Sequence, residues 1–213
     1  MLQLADSAFP TGGFAHSWGL EAAWQTGEVT AAAALEAFVR ESLWQVGYSV
    51  LPLASAAHRE PDRLEALGEL CDAFLINEVA NRASRAQGRA FVGSCARIWP
   101  TAVLVDLDRR ARNTAAHYAP AAGASLRALH VTLPMTQRLF LFSSMRGLFA
   151  AAVRLGIVGS YEAQGMQSAC ERHLDRVLAE CAGLGESDVA QTAPLIDLFQ
   201  ASHDRLYSRL FQS

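Results

Sequence analysis

Residues 132–156 read TLPMTQRLFLFSSMRGLFAAAVRLG and give the clearest structural signal in the chain. Thr132 and Pro134 are typical of the start of a helix, and Gly156 is typical of its end. Between them, apolar side chains recur at the spacing of one helix face. These side chains are Leu139, Phe142, Leu148, Phe149, Ala152 and Val153. The stretch therefore predicts a long helix that buries one face.

Helical spacing continues on both sides of this segment, and prolines at 52, 61 and 100 mark helix boundaries. The further predicted helices span residues 31–50, about 61–75, 79–99, 116–131, 160–183 and 195–211. Residues 101–115 are less regular, and 103–105 could form a short strand. We therefore predict an all-α bundle of about six to eight helices with little or no sheet, in a single domain over residues 1–213.

Composition excludes several classes of protein. With 213 residues, of which 51% are hydrophobic and 18% charged, the chain can fill a core, so it is not a disordered linker. Its formal net charge of −3 provides no general attraction to nucleic acid. All 18 basic side chains are arginine. The absence of lysine excludes an ordinary P-loop NTPase and any enzyme that forms a lysine imine.

The sequence favours a cytoplasmic location. Its four cysteines, at 71, 95, 170 and 181, include no C-x-x-C pair and do not resemble a disulfide framework. The opening residues lack the features of a signal peptide. Serine and arginine interrupt the most apolar window, residues 139–155, so we expect no membrane span.

Two local patterns resemble catalytic or metal sites only in part. Residues 15–19 look like the turn that carries a hydrolase nucleophile at Ser17, but that turn requires a preceding sheet. A helix N-cap is the alternative for Ser17. Cys170 and His173 share a helix face and could supply half of a metal site. We therefore predict neither catalytic residues nor a metal site.

Arginine and glycine spacing leaves two alternatives open in each case. Arginines at 138, 146 and 154 could form a solvated face or a surface that binds a partner. Gly88 and Gly93, with nearby alanines, would let two helices approach closely. That approach could lie in the core or across a dimer interface.

Residues 9–21, FPTGGFAHSWGLE, combine aromatic side chains with a glycine-rich turn. From Pro10 onward they resemble the P-x-G-x-F-x-x-S-x-G-L-E signature of the UreF family of urease accessory proteins. Residues 84–91, SRAQGRAF, are similar to the family's middle helix motif, and residues 117–123 and 154–164 also fit. The final stretch, residues 203–213, is similar to the family's tail pattern H-x-x-L-Y-x-R-L-F-x-S.

The resemblance implies an all-α homodimer that has no enzymatic activity and acts as a chaperone in urease maturation. It implies three partners, namely a UreD/UreH-type accessory protein, a UreG-type GTPase and apo-urease, which receives Ni²⁺. Nickel and GTP would belong to that partner complex, and the chain itself would bind no cofactor stably. Neither nucleic acid nor a membrane is expected as a partner.

The resemblance also suggests roles for particular residues. We expect residues 1–20 to form a motif-bearing lead-in and about 200–213 a tail that becomes ordered on the UreD-type partner. The residues assigned to the GTPase side are Pro10, Gly12, Phe14, His16, Ser17, Gly19 and Glu21. Those assigned to the UreD side are His203, Leu206, Tyr207, Arg209, Leu210, Phe211 and Ser213. A dimer or middle-helix role is assigned to Arg85, Gln87, Gly88 and Arg89. Family positions of uncertain role are His117, Gly123, Arg138, Arg146 and Arg154.

For packing, we expect Phe14, Trp18 and Leu20 to lie in the core, and Leu210 and Phe211 to lie at an interface. Three alternative functions remain. The chain could regulate a GTPase by supplying an arginine finger. It could be a helical metalloenzyme that uses Cys170 and His173, or an all-α ligand-binding domain with a closed apolar cavity.

Overall fold

A computed structural model describes residues 2–213; Met1, the first residue of the predicted domain and lead-in, lies outside the described residues. In that part of the chain every regular element is helical and no strand occurs, which confirms the all-α prediction. Ten α-helices are present within residues 2–213, namely α1 Leu20–Gln25, α2 Ala32–Ser49, α3 Leu51–Arg59, α4 Leu64–Phe74, α5 Glu78–Ile98, α6 Ala102–Arg112, α7 Tyr118–Ala128, α8 Leu133–Arg154, α9 Ser160–Cys181 and α10 Pro194–Ser202.

Proline and glycine set helix ends as predicted. Pro52 lies in the first turn of α3, which is separated from α2 by Val50 alone. Pro61 begins a 3-10 turn, Pro61–Arg63, that leads directly into α4. After α8 the chain passes through Gly156 with φ of 74°, the left-handed conformation that favours glycine at a helix end.

Residues 101–115 contain α6, so the suggestion that 103–105 could form a short strand is wrong. The Thr101 side chain accepts a hydrogen bond from the backbone N–H of Leu104 at 3.3 Å and caps the helix. Leu104, Leu107 and Ala111 are buried at helical spacing. Burial of side chains at helical spacing determines the structure of this segment, and the strand preference of its β-branched residues does not.

Helix α7 lies at the centre of the molecule, against α3 and α5. Every residue from Ala119 to Leu126 is buried. Two glycines let the neighbouring backbones approach α7 and the turn before it. A Cβ atom at Gly123 would lie 2.0 Å from the Ala54 carbonyl oxygen, and one at Gly88 would lie 1.9 Å from that of Ala116. Gly88 therefore makes its close contact inside the chain.

The last helix is shorter than predicted. Helix α10 ends at Ser202 and a 3-10 turn follows at His203–Arg205, so a helix over 195–211 is wrong beyond Ser202. The following residues run back toward the start of the chain. Their backbone N–H groups at Leu210 and Phe211 donate to a side-chain carboxylate instead of to helix carbonyls. That long-range interaction overrides the local helical spacing.

No helix in residues 2–213 has both the length and the hydropathy that crossing a bilayer requires.

We predict that Gly123→Ala destabilises the fold, because the added methyl group would overlap the Ala54 carbonyl. Overpacking of this kind lowers the free energy of unfolding by about 1–3 kcal/mol. Gly165→Ala, inside α9 with nothing within 4 Å of the added Cβ, is the matched control. It should instead raise stability by about 0.5–1 kcal/mol through helix propensity. Urea unfolding of both variants measures the difference, and equal effects would contradict the packing of α3 on α7.

Candidate partner-binding site

The two terminal segments singled out in the sequence lie together in the structure. We call residues 10–21 the N-terminal motif and residues 203–213 the C-terminal tail. The backbone N–H of Gln212 donates to the Ala15 carbonyl at 2.7 Å, and that of Ser17 donates to the Ser213 carbonyl at 2.5 Å. Backbone pairing therefore holds the tail against the motif.

Glu21, in the first turn of α1, anchors the tail with a carboxylate that is only 1% exposed. One oxygen accepts the backbone N–H of Leu210 at 2.6 Å. The other accepts the backbone N–H of Phe211 at 3.2 Å and lies 3.0 Å from Nε2 of the buried His203. A buried carboxylate is unfavourable unless its oxygens receive hydrogen bonds. The tail supplies three of them.

His16 and Ser17 bury the end of the tail. The Nδ1 atom of His16 and the hydroxyl of Ser213 are 2.5 Å apart and share a hydrogen bond. Ser17 donates through its hydroxyl to the Ser213 carbonyl at 3.2 Å. Burial first, and then electrostatic interaction with His203 and Arg82, lowers the pKa of His16 from 6.5 to about 4. The His16 ring is therefore neutral near pH 7.

The positive-φ turn that precedes α1 positions these groups. Trp18 has φ of 49° and Gly19 has φ of 84°. A Cβ at Gly19 would lie 2.9 Å from the backbone nitrogen of Gln200, so a glycine lets the turn contact α10 closely. The turn directs Ser17 and Glu21 into the interior, where both meet the tail.

Arg154, at the end of α8, contacts both segments. Its guanidinium donates to the Phe14 carbonyl of the N-terminal motif and lies 4.2 Å from the ring centroid of Phe211 in the tail. This cation–π contact is typical of an arginine placed over an aromatic face. Arg154 thus joins the motif, the tail and the helix bundle.

The other two arginines of the eight-residue series also have partners inside the chain. Arg146 donates to the Ala5 carbonyl, and Arg138 pairs with Asp175 at 2.6 Å. Arg146 and Arg154 therefore hold the lead-in on α8. A partner-binding role for this arginine series stays a prediction.

The outward surface of the site carries large apolar side chains. Tyr207 is fully exposed, and Phe14 and Leu210 are 73% and 52% exposed. The expectation that Phe14 lies in the core is wrong, because it lies in a 3-10 turn, Gly13–Ala15, where helical spacing does not apply. Leu20 is buried as expected, and Trp18 is half-buried.

Phe211 is only 5% exposed because it packs under Arg154. Its side chain therefore lies inside this chain, whereas an interface position was expected. Leu206 is half-buried, and Arg209 lies 3.3 Å from Asp204. The remaining N-terminal positions, Pro10 and Gly12, lie in the turns before α1, where Ser94 donates to the Pro10 carbonyl at 2.8 Å.

Sequence reasoning missed the contact between Arg82 and Asp204. Arg82 of α5 donates to both carboxylate oxygens of Asp204, at 2.7 and 2.9 Å. This hydrogen bonding holds the pKa of Asp204 below its usual range. The pair fixes the first turn of the tail to the middle helix. No local spacing signal identifies it, because the two residues belong to distant segments.

The middle motif and the His117 block form a separate internal cluster. His117 is fully buried, with Nε2 2.7 Å from Asp72 and Nδ1 3.1 Å from the Ser84 hydroxyl. Burial lowers the pKa of His117. The Ser84 hydroxyl also accepts the backbone N–H of Tyr118 at 3.2 Å, at the start of α7. The cluster therefore ties α4, α5 and α7 together.

The four residues assigned to the middle motif have different environments. Arg85 lies 3.8 Å from Asp72, and Arg89 is exposed. Gln87 and Gly88 are buried. None of these positions is brought to the junction between the motif and the tail.

The partial catalytic and metal patterns are not completed. In residues 2–213, no three His, Cys, Asp or Glu side chains form a group that could hold a metal ion. Cys170 is buried, and His173 Nε2 lies 3.2 Å from the Arg40 carbonyl. Ser17 is fully buried and bonded to the tail, without the strand–turn–helix context of a hydrolase nucleophile in the described chain.

Comparison with known proteins connects the sequence to one family. The sequence model of UreF matches residues 29–171. Urease accessory protein F of Arabidopsis thaliana is 36% identical, with 99% of this chain and 90% of the relative aligned. That of Oryza sativa subsp. indica is 35% identical over 98% of this chain and 82% of the relative. Urease accessory protein UreF of Mycobacterium tuberculosis is 32% identical over 100% of this chain and 97% of the relative.

We predict that acidification loosens the tail. A detached His16 takes up a proton near the ordinary pKa of 6.5, whereas the buried ring takes one up only near 4. Between these values the detached state binds the extra proton. The contribution of His16 to docking is therefore complete above about pH 6.5 and falls by up to about 1.4 kcal/mol for each pH unit below it.

NMR titration of the His16 ring, together with hydrogen exchange at the Ser17 amide, tests this prediction. His16→Gln should flatten the pH dependence of Ser17 protection, and His130→Asn, at an exposed position, should preserve it. A His16 ring that titrates near 6.5 in the folded chain would show that the tail does not bury His16.

Proposed function

The chain belongs to the UreF family of urease accessory proteins and so has a role in urease maturation, and we propose that it acts there as a non-enzymatic scaffold. In this proposal it bridges a UreD/UreH-type accessory protein and a UreG-type GTPase. The assembly inserts Ni²⁺ into apo-urease. Nickel is the cargo of the complex and GTP the substrate of the GTPase, and this chain holds no cofactor of its own.

The observation that supports a scaffold most strongly is the junction of the N-terminal motif and the C-terminal tail. The two segments that the family resemblance assigns to different partners share the Glu21 carboxylate as a common anchor. A partner that contacts the tail therefore contacts an element whose position depends on the motif. This arrangement suits a protein that brings two partners together on one surface.

The UreD-type partner is proposed to bind the outer face of the tail. Tyr207 and Leu210 project from this face, and Arg209 lies between them in sequence. Tyrosine and arginine are enriched at interfaces and at the residues that contribute most to binding. The Tyr207 side chain is fully exposed, so a partner would provide the contacts that the chain does not.

The GTPase is proposed to bind near the N-terminal motif. Phe14 offers the exposed apolar side chain there, while Ser17 and Glu21 are buried. Those two residues are therefore proposed to act by holding the turn and the tail in position. We further propose that the working unit is a homodimer in the cytoplasm.

We predict that deletion of residues 207–213 abolishes copurification with the UreD-type partner. The helical circular dichroism signal should remain, because every α-helix in the described chain ends before residue 203. The deletion also uncovers Glu21 and His16, so a point variant is needed to separate surface contacts from loss of the anchor. Copurification at the wild-type level by the deleted chain would contradict the assignment of the tail.

Tyr207→Ser should weaken binding of the UreD-type partner by about tenfold or more, as removal of a central interface tyrosine does. Tyr161→Ser is the matched control, because Tyr161 is 96% exposed but lies on α9. Titration calorimetry with each purified variant measures the change. Equal affinities for the two variants would show that Tyr207 is not part of the interface.

A further inference from the structure

Two adjoining cavities lie between the helices, and each opens toward solvent beside an exposed side chain, Phe14 in one and Gln191 in the other. One has a volume of about 100 Å³ and the other about 150 Å³. Four residues line both cavities, namely Trp18, Gln87, Tyr118 and Ser144. The two cavities therefore adjoin across these walls, and we call the larger one, of about 150 Å³, the chamber.

Gln87 provides an unused hydrogen-bond donor in the wall of the chamber. The residue is only 4% exposed, and its Nε2 atom has no hydrogen-bond partner among the described residues. An unsatisfied buried amide is unfavourable, because it has lost its hydrogen bonds to water without replacement. The donor therefore favours any occupant that offers an acceptor oxygen.

Trp18 forms part of the wall in an unusual backbone conformation. Its φ of 49° is uncommon for a bulky side chain. The indole ring lies where Gly147 leaves space, since a Cβ at Gly147 would come within 2.1 Å of the ring. The fold thus uses a strained residue and a glycine to place an aromatic surface between the two cavities.

The charged side chains divide between the two cavities: among the described residues Asp197 lines the chamber, and Asp6, Arg146 and Arg154 line the smaller cavity. Arg146 and Arg154 donate to the carbonyls of Ala5 and Phe14. Asp6 accepts from the backbone of Ala8, and Asp197 accepts from the Asn77 amide. The Asp197 carboxylate disfavours an anion in the chamber and the Gln87 donor disfavours a cation, so an ion would lose its hydration without a matching set of partners. An uncharged occupant is favoured.

The hydroxyl groups do not replace the missing acceptor. Ser42 and Ser144 donate to the carbonyls of Phe38 and Phe140 in their own helices, and neither hydroxyl oxygen accepts from Gln87 Nε2. Aromatic and aliphatic side chains form most of the remaining surface, including Tyr118 and Leu148. A cavity of about 150 Å³ is large enough for a molecule of the size of benzene. The volume of the chamber, its mostly apolar lining and the unused Gln87 donor therefore favour a small, mostly apolar molecule with one acceptor.

We propose that the chamber is a binding site for a small uncharged molecule that carries a carbonyl or ether oxygen. The oxygen accepts a hydrogen bond from Gln87 Nε2, and the apolar part of the molecule lies against Trp18 and Tyr118. The site shares Trp18 with the N-terminal motif but none of the hydrogen bonds between motif and tail, and the proposal does not depend on the partners of the chain.

Cyclohexanone is the probe, and cyclohexane, the same ring without the oxygen, is the comparison. Both are added to the full-length chain while NMR follows the Gln87 side-chain amide and the Trp18 indole. Cyclohexanone should shift both signals in a saturable way and bind roughly tenfold more tightly than cyclohexane, the effect of one hydrogen bond. Absence of saturable shifts at these two residues would overturn the proposal.

Gln87→Met keeps the length of the side chain and removes the donor. Without a ligand this variant should melt at the same temperature as the wild type or higher, because an unsatisfied donor is lost. It should bind the two probes with similar affinity. Gln164→Met, at an exposed position on α9, should retain the preference for cyclohexanone.

An undiminished preference for cyclohexanone in Gln87→Met would overturn the proposal. A high-resolution crystal structure in which ordered water occupies the chamber, and cyclohexanone fails to displace it, would do the same. If Gln87→Met does not fold, the wild-type comparison of the two probes still decides the question.

Discussion

Burial of the Glu21 carboxylate is the interaction on which the rest of the site depends. A carboxylate that is 1% exposed needs hydrogen-bond donors, and here they come from residues at the opposite end of the sequence. Leu210, Phe211 and His203 must therefore lie beside α1. The direction of the tail, the end of α10 and the burial of Ser213 follow from this requirement. Arg154 and Arg82 then fix the tail to α8 and α5.

This constraint places the N-terminal motif and the C-terminal tail on one surface, although the family resemblance assigned them to two different partners. Partners that bind the N-terminal motif and the C-terminal tail would meet at neighbouring positions. The two segments share buried hydrogen bonds. If a binding protein displaces one segment, the other segment therefore loses hydrogen-bond partners. Coupling between two binding events requires a structural element whose arrangement both partner proteins can change. The hydrogen-bonded motif and tail are an element of this kind. The helix bundle around α7 supplies the rigid support, and its closest contacts occur at Gly88 and Gly123.

Sequence periodicity predicted the helices well because their apolar spacing and their proline and glycine boundaries are local. The structure confirms the all-α fold and the bounds near Pro52, Pro61 and Gly156. Where the sequence prediction failed, a distant contact decides the outcome. The tail is not helical despite its helical spacing, because its backbone N–H groups donate to Glu21. Phe211 is buried under Arg154, an arginine 57 positions away in the sequence. The family motifs identified the residues that meet at the junction, but the spacing within each motif could not show that they meet.

Hydrogen exchange of Glu21→Gln tests the central claim most directly, with Glu162→Gln on α9 as the control. The neutral amide is a weaker acceptor, so the amides of Leu210 and Phe211 should exchange at least about tenfold faster. The Ser17 amide donates to the Ser213 carbonyl and does not touch Glu21. If motif and tail form one unit, the exchange rate of this amide should rise by a similar factor. Fast exchange at Leu210 and Phe211 with full protection at Ser17 would contradict the account.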